Sequence, residues 1–297
     1  MSPGASRTLY LKLALTAAAW GGQFVAGRVL AQSMPHLVAA AGRYVLASAC
    51  LLAVTLWQEG RLPVPPRPQL WGTALLGLTG MFLFNLFFFG ALARLPASRA
   101  ALIVALNPAS TALLVALFFR ERLSPLRWLG IGVAFLGVAI ALSRGRVWAL
   151  FSSGLGAGEA LMLGGTIAWA AYTVLGRAVL RSLSPLAATT WASLWGTLWL
   201  SLGAAAQWRG FSTAQLGWAN LGAMAYLGVV GTAVAFVWYY QGVRAIGPTR
   251  SAVFNNLVPI FGMTSGVLVL GEPLHASMVV GGLVALAGVT LVNLPSR

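Results

Sequence analysis

The chain alternates long apolar runs with short breaks rich in Pro, Gly and Arg, among them Arg61–Pro68, Arg120–Pro125 and Gly271–His275. A helix needs about 20 mostly apolar residues to cross the hydrocarbon core of a bilayer. Ten such segments are present: Tyr10–Leu30, Leu37–Trp57, Leu70–Ala93, Ala100–Phe119, Leu126–Leu142, Gly158–Leu180, Pro185–Ala206, Leu216–Val243, Ser251–Leu270 and Ser277–Leu294. Their apolar positions do not alternate with polar ones, as the strands of a transmembrane barrel would. The pattern predicts an all-α integral membrane protein of ten transmembrane helices, with no room left for a soluble domain. Arg7 and Lys12 followed by apolar sequence suggest a secretion signal, but the apolar stretch continues to Leu30, too far for a cleaved segment.

Sliding the chain against itself by 151 residues aligns Gly77 and Gly80 with Gly228 and Gly231, Arg99 with Arg250, and Pro108 with Pro259. The same offset aligns Glu121 with Glu272, Leu123 with Leu274, Gly130 with Gly281, and Gly137 with Gly288. Near the start of each half the offset is 149, bringing Trp20, Gly27 and Arg28 onto Trp169, Gly176 and Arg177. Ordered matches that include Trp, Arg, Pro and Glu mark an internal repeat, with halves expected at residues 1–148 and 149–297. Five spans per half is an odd number, so the two halves must run upside down relative to each other. Arg120, Arg122 and Arg127, between spans four and five, have no counterparts between spans nine and ten, in keeping with opposite sides of a membrane. Inverted repeats that share a site at their interface are a feature of secondary transporters.

Composition narrows the class. Of 297 residues 59% are apolar and only 8% are charged, and mean hydropathy is +0.84. Soluble domains carry about 25% charged residues, so an ordinary water-soluble enzyme is excluded. Nineteen Lys and Arg against four acids give a net charge of +15. A surplus of that size suggests a nucleic-acid partner, but the basic residues are scattered singly or in small groups, with no stripe to follow a phosphate backbone. They act instead as a topology signal. With the N-terminus inside, 12 of the 19 fall on the cytoplasmic side and 7, including Arg28, Arg43 and Arg99, on the outer side. The expectation is a multi-pass protein of the inner (cytoplasmic) membrane with both termini in the cytoplasm. Cys50 stands alone, which leaves no disulfide framework and no cysteine metal site; a small buried residue is expected there.

Asn107-Pro108 in the fourth span, followed by Arg120–Leu123 (RERL), and Asn255–Pro259 (NNLVP) in the ninth, followed by Leu270–Leu274 (LGEPL), resemble the paired EamA domains of the drug/metabolite transporter superfamily. The resemblance covers essentially the whole chain. It implies a ten-helix secondary transporter, and within that group the chain is similar to exporters of aromatic or neutral amino acids. It also implies a small-molecule substrate, an amino acid or amphipathic metabolite, and membrane lipids as partners. An exporter of hydrophobic drugs or nucleoside-like metabolites is the alternative, and the oligomeric state is left open.

Candidate substrate-binding residues follow from chemistry and position. Pro108 and Pro259 fall mid-span, where each removes a backbone donor and frees a carbonyl; both are candidate hinges. Asn107, Asn255 and Asn256 lie beside these breaks and can serve a solute or the opened backbone. Trp20 and Trp169 are repeat-equivalent and central, whereas tryptophan favours the interfacial belts, as expected for Trp57, Trp71, Trp128, Trp148 and Trp208. With Gln23 and Phe24, and with Tyr172 and Thr173 in the second half, they suggest an aromatic wall; helix packing is the plainer reading. The aromatic third and eighth spans add Asn85 with Phe88, and more weakly Trp238 with Tyr239. Glu121 and Glu272 are expected to cap or pair, and Arg99 and Arg250 to snorkel.

No Asp, Glu, Lys or His lies near the centre of a predicted span; Glu159 begins the sixth, and His36 and His275 lie at span edges. Proton-coupled cation export calls for an intramembrane carboxylate, and carriage of phosphates for central Lys or Arg. Neither is expected here. The centre reads as neutral, aromatic and amide-bearing, suited to zwitterions moved without carboxylate-based proton coupling. Ser265 is the one hint of a buried nucleophile, and the chain has no aspartate to orient a base. Neither catalysis nor a cofactor is expected.

Overall fold

The computed structural model describes residues 3–120, 122–148, 155–246 and 251–293. Among them the chain is helical throughout, without a strand, and forms ten rods that follow the ten apolar runs. They are α1 (Pro3–Ser33), α2 (His36–Glu59), α3 (Arg67–Leu76, Gly77–Leu83 and Phe84–Leu92), α4 (Ala97–Val104 and Asn107–Phe119) and α5 (Pro125–Leu142). The second half repeats the set as α6 (Ala157–Val179), α7 (Pro185–Gln207), α8 (Trp218–Ala225, Tyr226–Val234 and Ala235–Ile246), α9 (Val253–Leu257 and Val258–Leu270) and α10 (Ala276–Asn293). Seven of the rods are long and apolar enough to cross a membrane by length and composition alone. The other three, α1, α6 and α7, pack into the same bundle. With an even number of rods, the start of α1 and the end of α10 lie on one face, here called the terminal face.

Local chemistry sets the irregularities. Ser124 and Ser184 precede Pro125 and Pro185, and each hydroxyl accepts a backbone N–H of the first turn, from Arg127 at 3.4 Å and from Ala187 at 3.0 Å. Such Ser-Pro starts combine a side-chain cap with a residue that has no N–H to waste. Pro108 and Pro259 each stand at the first turn of a new helix rather than inside one. Just before Pro108 the backbone tightens, with Ala105 N donating to Leu102 O and Leu106 N to Ile103 O. Before Pro259 the chain runs as a 3-10 turn. In α3 and α8 the central segment widens to a π-helix, in both cases over the repeated Gly-x-x-Gly pairs Gly77/Gly80 and Gly228/Gly231.

Packing obeys the repeat. α1 lies against α8 and α9 as α6 lies against α3 and α4, and α2 meets α8 as α7 meets α3. Three pairs, α2 with α7, α4 with α9 and α5 with α10, join an element to its own counterpart. The α5–α10 seam is built from repeated glycines. A Cβ on Gly130 would stand 2.8 Å from Gly288 O, and one on Gly137 would run into the backbone N of Ala285. Backbones that close leave room for nothing larger, the usual way helices associate where no water drives them together. Trp57, Trp71, Trp128, Trp148 and Trp208 lie at or beside rod ends and are exposed, as the belt expectation requires. Cys50 is half-buried and free, less enclosed than expected, because it borders a small cluster around Leu51 and Leu186 instead of the main core.

Candidate functional site

A cavity of about 540 Å³ lies between the halves, within the range of small-molecule sites. Trp20, Gln23 and Phe24 of α1 and Trp169, Tyr172 and Thr173 of α6 line it, so the repeat-equivalent tryptophans do face one space. Phe88, Asn107, Tyr239, Asn255 and Asn256 also line it, together with Pro108 and Pro259 at the two helix breaks. Trp20 holds ring contacts with Phe236 and Tyr239 at centroid distances of 5.6 and 5.4 Å. Across the cavity Trp169 meets Phe84 at 5.3 Å and Tyr172 at 5.2 Å, and Phe24 meets Phe88 at 5.4 Å. Trp20 Nε1 and Gln23 Nε2 both donate to Gly231 O, at 3.0 and 2.9 Å. That carbonyl sits in the π-helical part of α8, where the wider turn opens the ladder. Asn107 Oδ1 is buried with no hydrogen-bond partner among the described residues, an acceptor left over by the break in α4.

Two expected residues are elsewhere. Asn85 is 0% exposed and does not line the cavity: its Nδ2 donates to Met81 O at 2.6 Å and its Oδ1 accepts from Arg43. Trp238 is half-buried off the lining, because its neighbour Tyr239 takes the inward face of α8. The larger correction is Arg43. The centre was expected to lack a basic group, yet Arg43 is only 3% exposed and lines the cavity. Its Nη1 donates to Asn85 Oδ1 at 3.2 Å, and its Nη2 to Gln23 Oε1 at 3.0 Å and Thr232 Oγ1 at 3.1 Å. Four helices thus meet at one guanidinium. The available signal was an arginine about two turns inside an apolar span, too deep for a loop. Arg127, at the start of α5, also lines the cavity.

The cavity reaches the terminal face and is shut towards the other. Its lining takes the terminal-face ends of several rods, with Leu123 and Arg127, Gly176 and Leu180, Ala188 and Thr189, and Val292 and Asn293. The repeated glycines show the asymmetry directly: a Cβ on Gly27 would press into Phe88 and Leu92, whereas Gly176 has nothing within 4 Å. On the shut side Glu272 clips α9 to the start of α4. Its Oε1 accepts from Ala97 N at 2.6 Å and its Oε2 from Ser98 N at 2.8 Å, a carboxylate at a helix N-terminus. Arg28 Nε lies 3.7 Å from the same carboxylate, and its Nη1 donates to the carbonyls of Leu92 and Leu95. Arg99, its side chain 30% exposed, pairs with Glu159 at 3.1 Å and donates to Leu142 O, both at rod ends on the shut face. Glu272 caps and pairs as expected, though across the halves; Glu121 and Arg250 lie outside the described residues. Ser265 donates to Gly262 O at 3.1 Å, an ordinary helix contact.

A polytopic helical bundle, duplicated and pierced by a cavity open at one end, is the architecture of a membrane transporter. The model of the EamA-like transporter family matches twice, at residues 8–143 and 156–294, and the chain belongs to that family. It is 29% identical to the uncharacterized transporter YyaM of Bacillus subtilis, over 84% of this chain and 82% of that one. It is 28% identical to a probable terminal-alkyne amino-acid exporter of Streptantibioticus cattleyicolor, over 95% and 92% of the two chains. A solved crystal structure at 19% identity superposes with a TM-score of 0.66, covering 96% of both chains, and supports the fold.

Proposed function

We propose that this transporter exports small neutral or aromatic amino acids and related metabolites by alternating access, without carboxylate-based proton coupling. One observation carries the reading: the cavity pairs an aromatic wall from both halves with amide groups beside two helix breaks, and no Asp or Glu is among its described lining residues. Aromatic faces suit apolar or ring-bearing side chains, and asparagine groups suit the polar end of a zwitterion. Trp20, Gln23, Phe24, Phe88, Asn107, Trp169, Tyr172, Tyr239, Asn255 and Asn256 are the proposed contacts, with Pro108 and Pro259 as hinges. Residues 1–148 and 149–297 are the units proposed to rock against each other. The 12-to-7 split of basic residues supports an inner-membrane protein with cytoplasmic termini, which makes the observed opening inward-facing.

The test is counterflow in proteoliposomes with a panel of labelled amino acids, comparing the wild type with Trp20→Ala and Trp169→Ala. Exchange of aromatic or neutral amino acids, lowered at least about tenfold in each variant and indifferent to an imposed pH gradient, is expected. Absence of exchange for every amino acid sinks the substrate reading, and a strong pH-gradient requirement sinks the uncoupled one.

A further inference from the structure

Arg43 is the most deeply buried of the arginines in the described cavity wall and gate, and it has no acid partner among the described residues. Two of the chain's four carboxylates neutralise arginines that are far less enclosed: the Arg28 side chain, 21% exposed, has Glu272, and that of Arg99, 30% exposed, has Glu159. Arg43, 3% exposed, has three neutral acceptors, Gln23, Asn85 and Thr232, and no ion pair among the described residues. Glu59 ends the same helix about 24 Å away, where Ser184 donates to it. A guanidinium taken out of water is costly, and neutral dipoles offset only part of that cost. Its Nε is buried without a hydrogen-bond partner among the described residues. The other charged residue on the described lining is Arg127, at the open end, so the described lining carries positive charge at both depths and no carboxylate.

From this we infer that Arg43 is the anchor for a carboxylate, and that the site selects its solutes by that group and not by an amine. The inference rests on the reading of this cavity as the substrate site and narrows it. Arg127 draws anionic groups in at the mouth, the aromatic wall takes the side chain, and the carboxylate completes the charge balance at Arg43. An ammonium group meets no carboxylate on the described lining and contributes little. Acids in which a hydroxyl replaces the ammonium therefore bind like the amino acids, whereas amines and amides of the same side chain do not.

Purified full-length protein in detergent is titrated with four ligands, read by thermal stabilisation: phenylalanine, 3-phenyllactate, phenylalanine amide and phenethylamine. Phenylalanine and 3-phenyllactate are expected to bind comparably, and the two ligands without a carboxylate roughly 10- to 100-fold more weakly, the span of a charged hydrogen bond. Arg43→Gln removes the difference, and Arg43→Lys keeps part of it. Because the wild-type series needs no variant, a misfolded Arg43→Gln does not blunt the test. Equal or tighter binding of phenethylamine or the amide overturns the inference, as does discrimination that survives in a folded Arg43→Gln, or failure of both acids to bind at millimolar concentration. If 3-phenyllactate binds through Arg43 while no amino acid exchanges in proteoliposomes, the amino-acid reading fails and the anchor stands. If amino acids exchange while phenethylamine competes and 3-phenyllactate does not, the anchor fails alone.

Discussion

The Asn85 amide works out of sight of the cavity, holding the guanidinium that faces it. Its Oδ1 accepts from Arg43 and its Nδ2 returns a bond to Met81 O one turn back. Asn85→Leu keeps the branched outline, though not the volume, and strands a charged donor, at a cost of about 1–3 kcal/mol. A lowered unfolding temperature in detergent without ligand is the expected result, and an unchanged one would show that the donor finds another acceptor. Most aromatic and amide residues of the candidate site were legible in the sequence, at repeat-equivalent places or near a proline, whereas the lining residues Tyr44, Phe84 and Phe236 were not singled out. Neither was Arg43. Its burial is supported by Gln23, Asn85 and Thr232 from three other helices, and periodicity along one helix carries no record of such contacts. Asn85 and Phe88 show the same limit: three residues apart on a helical face, they part company because the face is wide and only one side of it meets the cavity.

Helix ends and breaks decide how the rods can move. α4 and α9 each restart at a proline, so neither needs to bend a continuous hydrogen-bond ladder to tilt. With Pro108→Ala or Pro259→Ala the break can heal into one helix, and slower exchange with ligand binding retained is expected. Equal slowing of both variants would fit their equivalence, and an unaltered exchange rate in both would dismiss the hinges. The clip at the shut face is testable in the same way. Glu272→Gln loses the charge that holds Arg28 and the two amides at the head of α4. A cysteine placed at Leu95, beside the carbonyls that Arg28 contacts, in a Cys50→Ala background, should then react several-fold faster with a membrane-impermeant maleimide applied from that face. No change in rate would mean that packing alone keeps the face closed. The proline breaks were visible in the sequence. The π-helical stretches were not, since the Gly-x-x-Gly pairs beneath them read equally well as close helix packing.

At the scale of the whole bundle, the number of rods, their limits within a few residues and their twofold pairing all follow from apolar length and the repeat. Which rods touch is a tertiary matter, and the α5–α10 seam shows why small residues settle it. Gly137→Val would drive its side chain into the α10 backbone and is expected to remove most folded protein from size-exclusion profiles, whereas Gly132→Val, on the same helix with nothing within 4 Å, should leave the profile intact. Similar yields for both would mean that the seam is dispensable. Arg43 has an electrical meaning at this scale as well. Rooted in α2, it would stay with the protein in the proposed alternating access, so that the charge traversing the membrane field would be the solute's own. A zwitterion crosses without electrical work, while each net negative charge leaving an interior held at −100 mV gains about 2.3 kcal/mol. Valinomycin-imposed potentials should therefore leave phenylalanine flux unchanged and drive 3-phenyllactate outward, above protein-free controls. For solutes of that kind the voltage across the membrane would serve as the power source that the missing carboxylates do not provide.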